Sequence, residues 1–353
     1  MKLRQTLYDF LIQYKEIDMY FSNKDLLSPP VRRAAYSDRA AWIMAELSRL
    51  VYFKFEGELQ ISDMAESLVG ENNQSKIEKV LNNVLSEKQK TEDSAKQDLE
   101  SYLLQAGFSL VETFNTNGTQ AFLVSNDKLK MNALAFRGTE GNIQDIKTDL
   151  KATTLEVEGY KVHSGFYHAF NEIKEDIEFA LEELTNGYPL YITGHSLGGA
   201  LALLATKYLA SDSIGACYTF GGPRVASSNF GDSIKTPIYR VVNAADIVPR
   251  VPPAYIVHIF ISILEMLHIP FLSNFLVKLL EKMLDYRHHG DMRYLTACKS
   301  DFSNLRVLQN PTIIDRAIRM MNRFLSAGFK AGATDHFVKN YCDKLENYAV
   351  MRN

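Results

Sequence analysis

Residues 194–199 read Gly-His-Ser-Leu-Gly-Gly, directly after the short apolar run Pro189 to Thr193. An Ala/Leu-rich stretch, ALALLATKYLA (200–210), follows at once. An apolar strand, a Gly-x-Ser-x-Gly turn and a helix together make a nucleophile elbow. The residue types follow from the geometry. Ser196 sits at a sharp strand-to-helix turn so that its hydroxyl enters a cleft, and Gly194 and Gly198 sit where a Cβ would strike the adjoining strand or helix. The helix N-terminus adds positive potential where an oxyanion would form. The five-position pattern arises by chance roughly 0.1 times in a chain this long, so the rest of the sequence has to carry part of the argument.

It does so through alternation. Helix is expected over 167–185, strand over 189–193, helix over 198–210 and strands over 215–220 and 239–245. Strands alternating with helices imply a largely parallel, buried sheet. A hairpin precedes it, with FSLVETFN (108–115) and QAFLVSN (120–126) separated by TNGT, and MNALAF (131–136) forms a further strand. Residues 37–52 read as an amphipathic helix capped by Ser37. Residues 71–101 read as an exposed, charged helix peripheral to the core. The fold class is α/β: an α/β-hydrolase fold, with a mostly parallel central sheet flanked by helices and a helical apolar insertion ahead of the last candidate histidines. One domain is expected over 1–353. It includes a helical N-terminal segment over 1–34, the apolar insertion over 254–284 and a helical C-terminal segment over 301–353. In the last of these, a second helix starts near Thr334 or Asp335.

Net charge is −3, which gives no electrostatic reason to expect a nucleic-acid partner. Three cysteines, Cys217, Cys298 and Cys342, lie far apart in the chain, lack metal-ligand spacing and do not suggest a disulfide framework. Cys217, inside an apolar run, reads as a small core residue. Lys2 and Arg4 precede an apolar stretch broken by Asp9, and no small-residue cleavage site follows, so no secretory signal is read. No run of 18 uninterrupted apolar residues suggests a membrane span. The expected location is cytoplasmic or peripheral to a membrane.

Ser196 needs a base, and the base an orienting carboxylate, in the chain order Ser, acid, His. Between Ser196 and the late histidines the acids are Asp212, Asp232, Asp246, Glu265, Glu281 and Asp285. Of these, Asp246 directly follows a core strand and precedes the loop IVPRVPP, at the carboxyl end of the sheet where such sites form. The candidate bases are His258, His268, His288, His289 and His336. His258 and His268 fall in the apolar insertion. The residues alone leave His288 and His289 unseparated. His336, at the start of a C-terminal helix, is a rival to both.

Six ordered blocks resemble the class 3 lipases, the fungal triacylglycerol lipases and their relatives: AFRGTE (135–140), VHSGF (162–166), GHSLGGALA (194–202), FGGPRVAS (220–227), NAADIVPRVPP (243–253) and HHGDMRYL (288–295). The resemblance spans roughly residues 35–300. It implies Ser196 as nucleophile, Asp246 as acid and His288 as base, two positions before a Gly and ahead of a final strand. The family's acidic residue at the fourth position after the base is replaced here by Met292. The resemblance also implies an oxyanion hole from the backbone N–H groups of Leu197 and Thr139. His163 matches a family position and reads as structural.

A lid helix would fall on NIQDIKTDL (142–150), with Ile143, Ile146 and Leu150 along one face. Trp42 is the chain's one tryptophan, so this segment lacks the Trp that fungal relatives often carry there. The insertion 254–284 reads either as a buried cap or as an interfacial helix pair, with Phe260, Phe271, Phe275 and Leu279 as candidate acyl-chain or lipid contacts. The expected activity is a serine carboxylester hydrolase on lipid esters, needing no metal or organic cofactor and touching a lipid surface. An acyltransferase on the same triad and a non-catalytic lipid-binding module are the alternatives.

Overall fold

The alternating pattern folds, in a computed structural model, around an eight-stranded sheet. The structure describes residues 20–31, 35–53, 74–138, 154–251 and 286–352. Two compact units divide the chain. The smaller contains the long helix Gln74–Leu104. Near its end, Tyr102 packs against Tyr20 and Phe53, with ring centroids 5.2 and 5.6 Å away. The segment read as a charged peripheral helix is therefore helical, and it belongs to a unit of its own.

The larger unit, residues 21–52 and 110–353, carries the sheet. Its strands are β1 (Ser109–Thr116), β2 (Thr119–Asn126), β3 (Met131–Phe136), β6 (Leu190–His195), β7 (Cys217–Phe220), β9 (Ile238–Asn243), β11 (Asp291–Leu295) and β12 (Val307–Gln309) in that spatial order. The pairings from β3 through β6, β7 and β9 to β11 are parallel, whereas β2–β3 and β11–β12 are antiparallel. The centre of the sheet is thus parallel, and antiparallel strands close both sides. A second, four-stranded sheet joins β10 (Tyr286–Arg287), β8 (Ala226–Ser227), β5 (Tyr160–His163) and β4 (Thr154–Val157). Its strands are two to four residues long, too short for the alternation rule to reveal in a sequence.

Among the described residues the helices are, in chain order, α1 (Asp38–Leu50), α2 (the Gln74–Leu104 helix of the smaller unit), α3 (Ser164–Glu183), α4 (Leu197–Leu209), α5 (Ile313–Ala327), α6 (Ala331–Thr334) and α7 (Val338–Met351), of which α1, α3 and α4 pack on strands of the large sheet. The Ser37 hydroxyl accepts the Ala40 N–H at 3.2 Å and so starts α1 where the capping signal placed it. In α3, Phe166, Phe170, Ile173 and Ile177 recur at helical spacing and are all buried. They pack with Leu201, Leu204 and Ala205 of α4 in the main core. Each such aromatic or aliphatic side chain contributes about 1.5–3 kcal/mol by leaving water. Trp42 is fully buried in α1, and α7 packs on that helix. Cys217 is likewise a core residue; burial pushes its thiol up to about 12.

Candidate active site

The elbow forms because two backbones approach where only glycine leaves room. A Cβ on Gly194 would run into the Gly198 carbonyl, and one on Gly198 into the Phe136 carbonyl of β3. Between them Ser196 adopts φ 56°, ψ −124°, a left-handed conformation that costs a non-glycine residue of order 1–3 kcal/mol. The Ser196 N–H donates to the Phe220 carbonyl at 2.9 Å, which ties the turn to the end of β7. Leu197 is the first residue of α4, and the first N–H groups of a helix have no intrahelical acceptor. Gly138, two residues beyond β3, comes up against Ser196: a Cβ there would lie 3.3 Å from the Ser196 Cβ. Thr139, the other implied oxyanion donor, lies outside the described residues, as do Ile143, Ile146 and the lid segment 142–150.

The imidazole at Ser196 is that of His336. Its Nε2 lies 2.9 Å from Ser196 Oγ, and its Nδ1 lies 2.9 and 3.0 Å from Asp246 Oδ2 and Oδ1. Asp246 is fully buried three residues beyond β9. Besides the His336 Nδ1–H, its carboxylate accepts the Val248 N–H at 2.9 Å and the Tyr341 hydroxyl at 2.5 Å. Burial and the Asp246 charge hold the Tyr341 pKa well above its usual value, so the phenol stays a donor. With Nδ1–H committed to Asp246, Nε2 is left to accept from the serine hydroxyl.

His288, the base implied by the resemblance, is elsewhere, and this call is corrected. Its Nε2–H donates to the Pro249 carbonyl at 2.6 Å. The displacement has a topological reason. β11 runs parallel to β9 and begins at Asp291, opposite Tyr239, while Gly290 presses on Ile238, the first residue of β9. His288 therefore lies near the amino end of the strand whose carboxyl end leads to Asp246. Burial, then Arg240 and Arg224, push its pKa well below the usual value. His289 is buried beside Phe230, its ring centroid 5.4 Å away. His163 is buried and stacked on Phe166 at 3.9 Å, and burial lowers its pKa to about 4.

The C-terminal elements that deliver His336 form a polar frame that sequence reasoning missed. Arg323 of α5 forks onto Asp335 at 2.9 and 3.1 Å. The same carboxylate accepts the Ala245 N–H at 3.0 Å. The Asp335 side chain thus ties the residue before His336 to the residue before Asp246. Asn243, last in β9, donates its side-chain amide to the Asp335 carbonyl at 2.8 Å and its backbone N–H to Tyr341 Oη at 3.0 Å. The buried Lys344 ammonium reaches the Asn243 Oδ1 at 2.6 Å and the Thr296 carbonyl at 2.9 Å. On the other side, the His195 Nε2–H donates to the His336 carbonyl at 2.6 Å while its Nδ1 faces the Tyr52 hydroxyl at 3.0 Å. Burial and His336 keep the His195 pKa well below its usual value, as a neutral ring with one donor and one acceptor requires. Among the described residues no three His, Cys, Asp or Glu side chains cluster as a metal site, and no helix is long and apolar enough to cross a membrane.

Comparison with known proteins matches residues 133–256 to the lipase (class 3) family. A Rhizopus niveus lipase is 35% identical over 161 residues, which are 41% of this chain and 41% of that one. A secreted mono- and diacylglycerol lipase of Fusarium solani is 33% identical over 146 residues, 38% and 44% of the two chains. Toxin TseL of Vibrio cholerae is 30% identical over 226 residues, covering 57% of this chain and 34% of the toxin. The chain therefore spans less than half the length of these relatives. A crystal structure of a lipase from Rhizopus microsporus var. chinensis superposes with a TM-score of 0.46 at 25% identity, covering 63% of this chain and 74% of that one.

Proposed function

We propose, from the match of residues 133–256 to the lipase (class 3) family, that the protein is a serine carboxylester hydrolase acting on lipid esters. The observation that carries the reading is the unbroken hydrogen-bonded chain from Ser196 through His336 to Asp246. In this reading His336 Nε2 takes the Ser196 proton as Oγ attacks the ester carbonyl. Asp246 holds the ring in the tautomer that allows this and stabilises the imidazolium. The Leu197 N–H, at the head of α4, stabilises the oxyanion; a donor of this kind is worth about 2.7–4 kcal/mol. His336 then protonates the leaving alcohol, and water releases the acyl group by the reverse path. The similarity to lipases over residues 133–256 supports a lipid ester as substrate, and a lipid surface is the proposed partner.

The residues expected to touch the acyl chain, Phe260, Phe271 and Phe275 in the insertion 254–284, lie outside the described residues. A lipid panel with mass-spectrometric product identification tests the substrate class. Fatty acid should be released by the wild type and not by Ser196→Ala. Products esterified to an added alcohol in place of free acid would favour the acyltransferase, and turnover by Ser196→Ala would overturn the mechanism.

A further inference from the structure

The helix α5 has a sequence built for two environments. Ile314, Ile318, Met321 and Leu325 recur at spacings of four, three and four, which puts them on one face. The opposite side carries Asp315, Arg316, Arg319 and Arg323. A helix of this type in a globular protein turns its apolar face to the core. Here no residue of α5 is buried. Ile314 is 73% exposed, Leu325 78%, and Phe329, just past the helix end, 90%. The polar side is the less exposed one instead: Asp315, Arg316, Arg319 and Arg323 are half-buried, and Arg323 is bound to Asp335.

We propose that α5 is a membrane-docking helix whose apolar face enters the headgroup region of an anionic phospholipid surface. Charge supports this partner. Between 313 and 335 the chain has Arg316, Arg319, Arg323 and Lys330 against Asp315 and Asp335, the latter paired with Arg323, a net of +2 in a protein of net charge −3. A basic amphipathic helix lying in the interface plane is the form that binds anionic lipid, through apolar burial and headgroup attraction together. A second copy of the chain fits less well, since a symmetric pairing through this face would bring two basic segments together. Position supports it too. Through the Arg323–Asp335 fork, α5 is tied to the residue before His336, and Phe337, the residue after it, is 53% exposed. Docking through α5 would set the reacting histidine beside the lipid.

The inference rests on the hydrolase reading only for the choice of lipid as partner, and the experiment separates the two. Flotation with vesicles of mixed phosphatidylglycerol and phosphatidylcholine is measured for the wild type, Ile314→Ser/Leu325→Ser and Ser196→Ala. Both serines replace exposed side chains, so the fold and the turnover of a short, water-soluble ester should be unchanged. Vesicle affinity of the double variant should fall by about tenfold or more, given the apolar area removed from the interface. Ser196→Ala should float like the wild type, and added salt should weaken binding in all three. If Ser196→Ala still hydrolyses esters, the mechanism fails while the docking result stands. The proposal is overturned if the double variant floats like the wild type. It also falls if the substitutions convert a dimer to a monomer in sedimentation, which assigns the face to a second copy, or if they unfold the protein, which makes it core.

Discussion

His336 has both ring nitrogens committed, one to Ser196 and one to Asp246, and single substitutions should report this. His336→Ala should lower kcat by about 10⁴-fold or more with a soluble ester, as loss of a member of such a unit does. His288→Ala should retain most activity, because that ring serves the Pro249 carbonyl. The reverse order would move the base back to the 288 loop. Tyr341→Phe removes a 2.5 Å donor from the Asp246 carboxylate. A hydrogen bond to a charged group is worth about 1.5–3 kcal/mol, so kcat should fall by roughly 10- to 100-fold while KM changes little. His163 concerns stability. Its pKa is lowered from 6.5 to about 4 in the fold, so the unfolded chain binds the proton more readily. The fold keeps its full stability above pH 6.5 and loses it progressively as pH falls toward 4, by about 3 kcal/mol at 1.36 kcal/mol per unit. Urea midpoints at the two ends of that range should differ by this amount, and a His163→Phe variant should lose most of the difference.

At the scale of elements, α4 and β3 meet through a single missing Cβ. Gly198→Ala would drive a methyl into the Phe136 carbonyl. The backbone cannot yield as a side-chain tip does, so unfolding free energy should drop by about 1–3 kcal/mol or more, read from the denaturation midpoint. The elements around this contact were legible in the sequence. β3, β6, α4 and the strand before Asp246 have the length and apolar content that periodicity detects, and the glycines mark the close approach. What stayed hidden had weaker signals. The small sheet is made of strands too short to alternate, yet it carries β10, and hence His288, away from Ser196. The HHGDMRYL block resembles the family's base-bearing segment, but Met292 in place of the acid marked where the resemblance thins. His336 lies past that block, preceded by Asp335, whose partners Arg323 and Ala245 lie 12 and 90 residues away in sequence. Neither contact falls within one helix or strand, so neither leaves a periodic trace.

At the scale of the whole molecule, the site joins two stretches of chain. Ser196 and Asp246 fall within residues 133–256, and His336 lies beyond them. A chain ended after Asn310 would keep Ser196 and Asp246 and lose His336, Tyr341 and the Arg323–Asp335 fork. Such a chain should fail to take up a fluorophosphonate at Ser196 even where it remains soluble. Strong labelling would mean that another group activates the serine.

Because 140 residues separate Ser196 from His336 and 90 separate Asp246 from it, the order of synthesis has a bearing on safety in a cell. At about 5–20 residues per second, the ribosome releases the serine several seconds or more ahead of the histidine. The nascent chain can settle Ser196 and Asp246 into the sheet first, and the hydrogen-bonded chain between them through His336 is completed only when the helices after residue 310 dock.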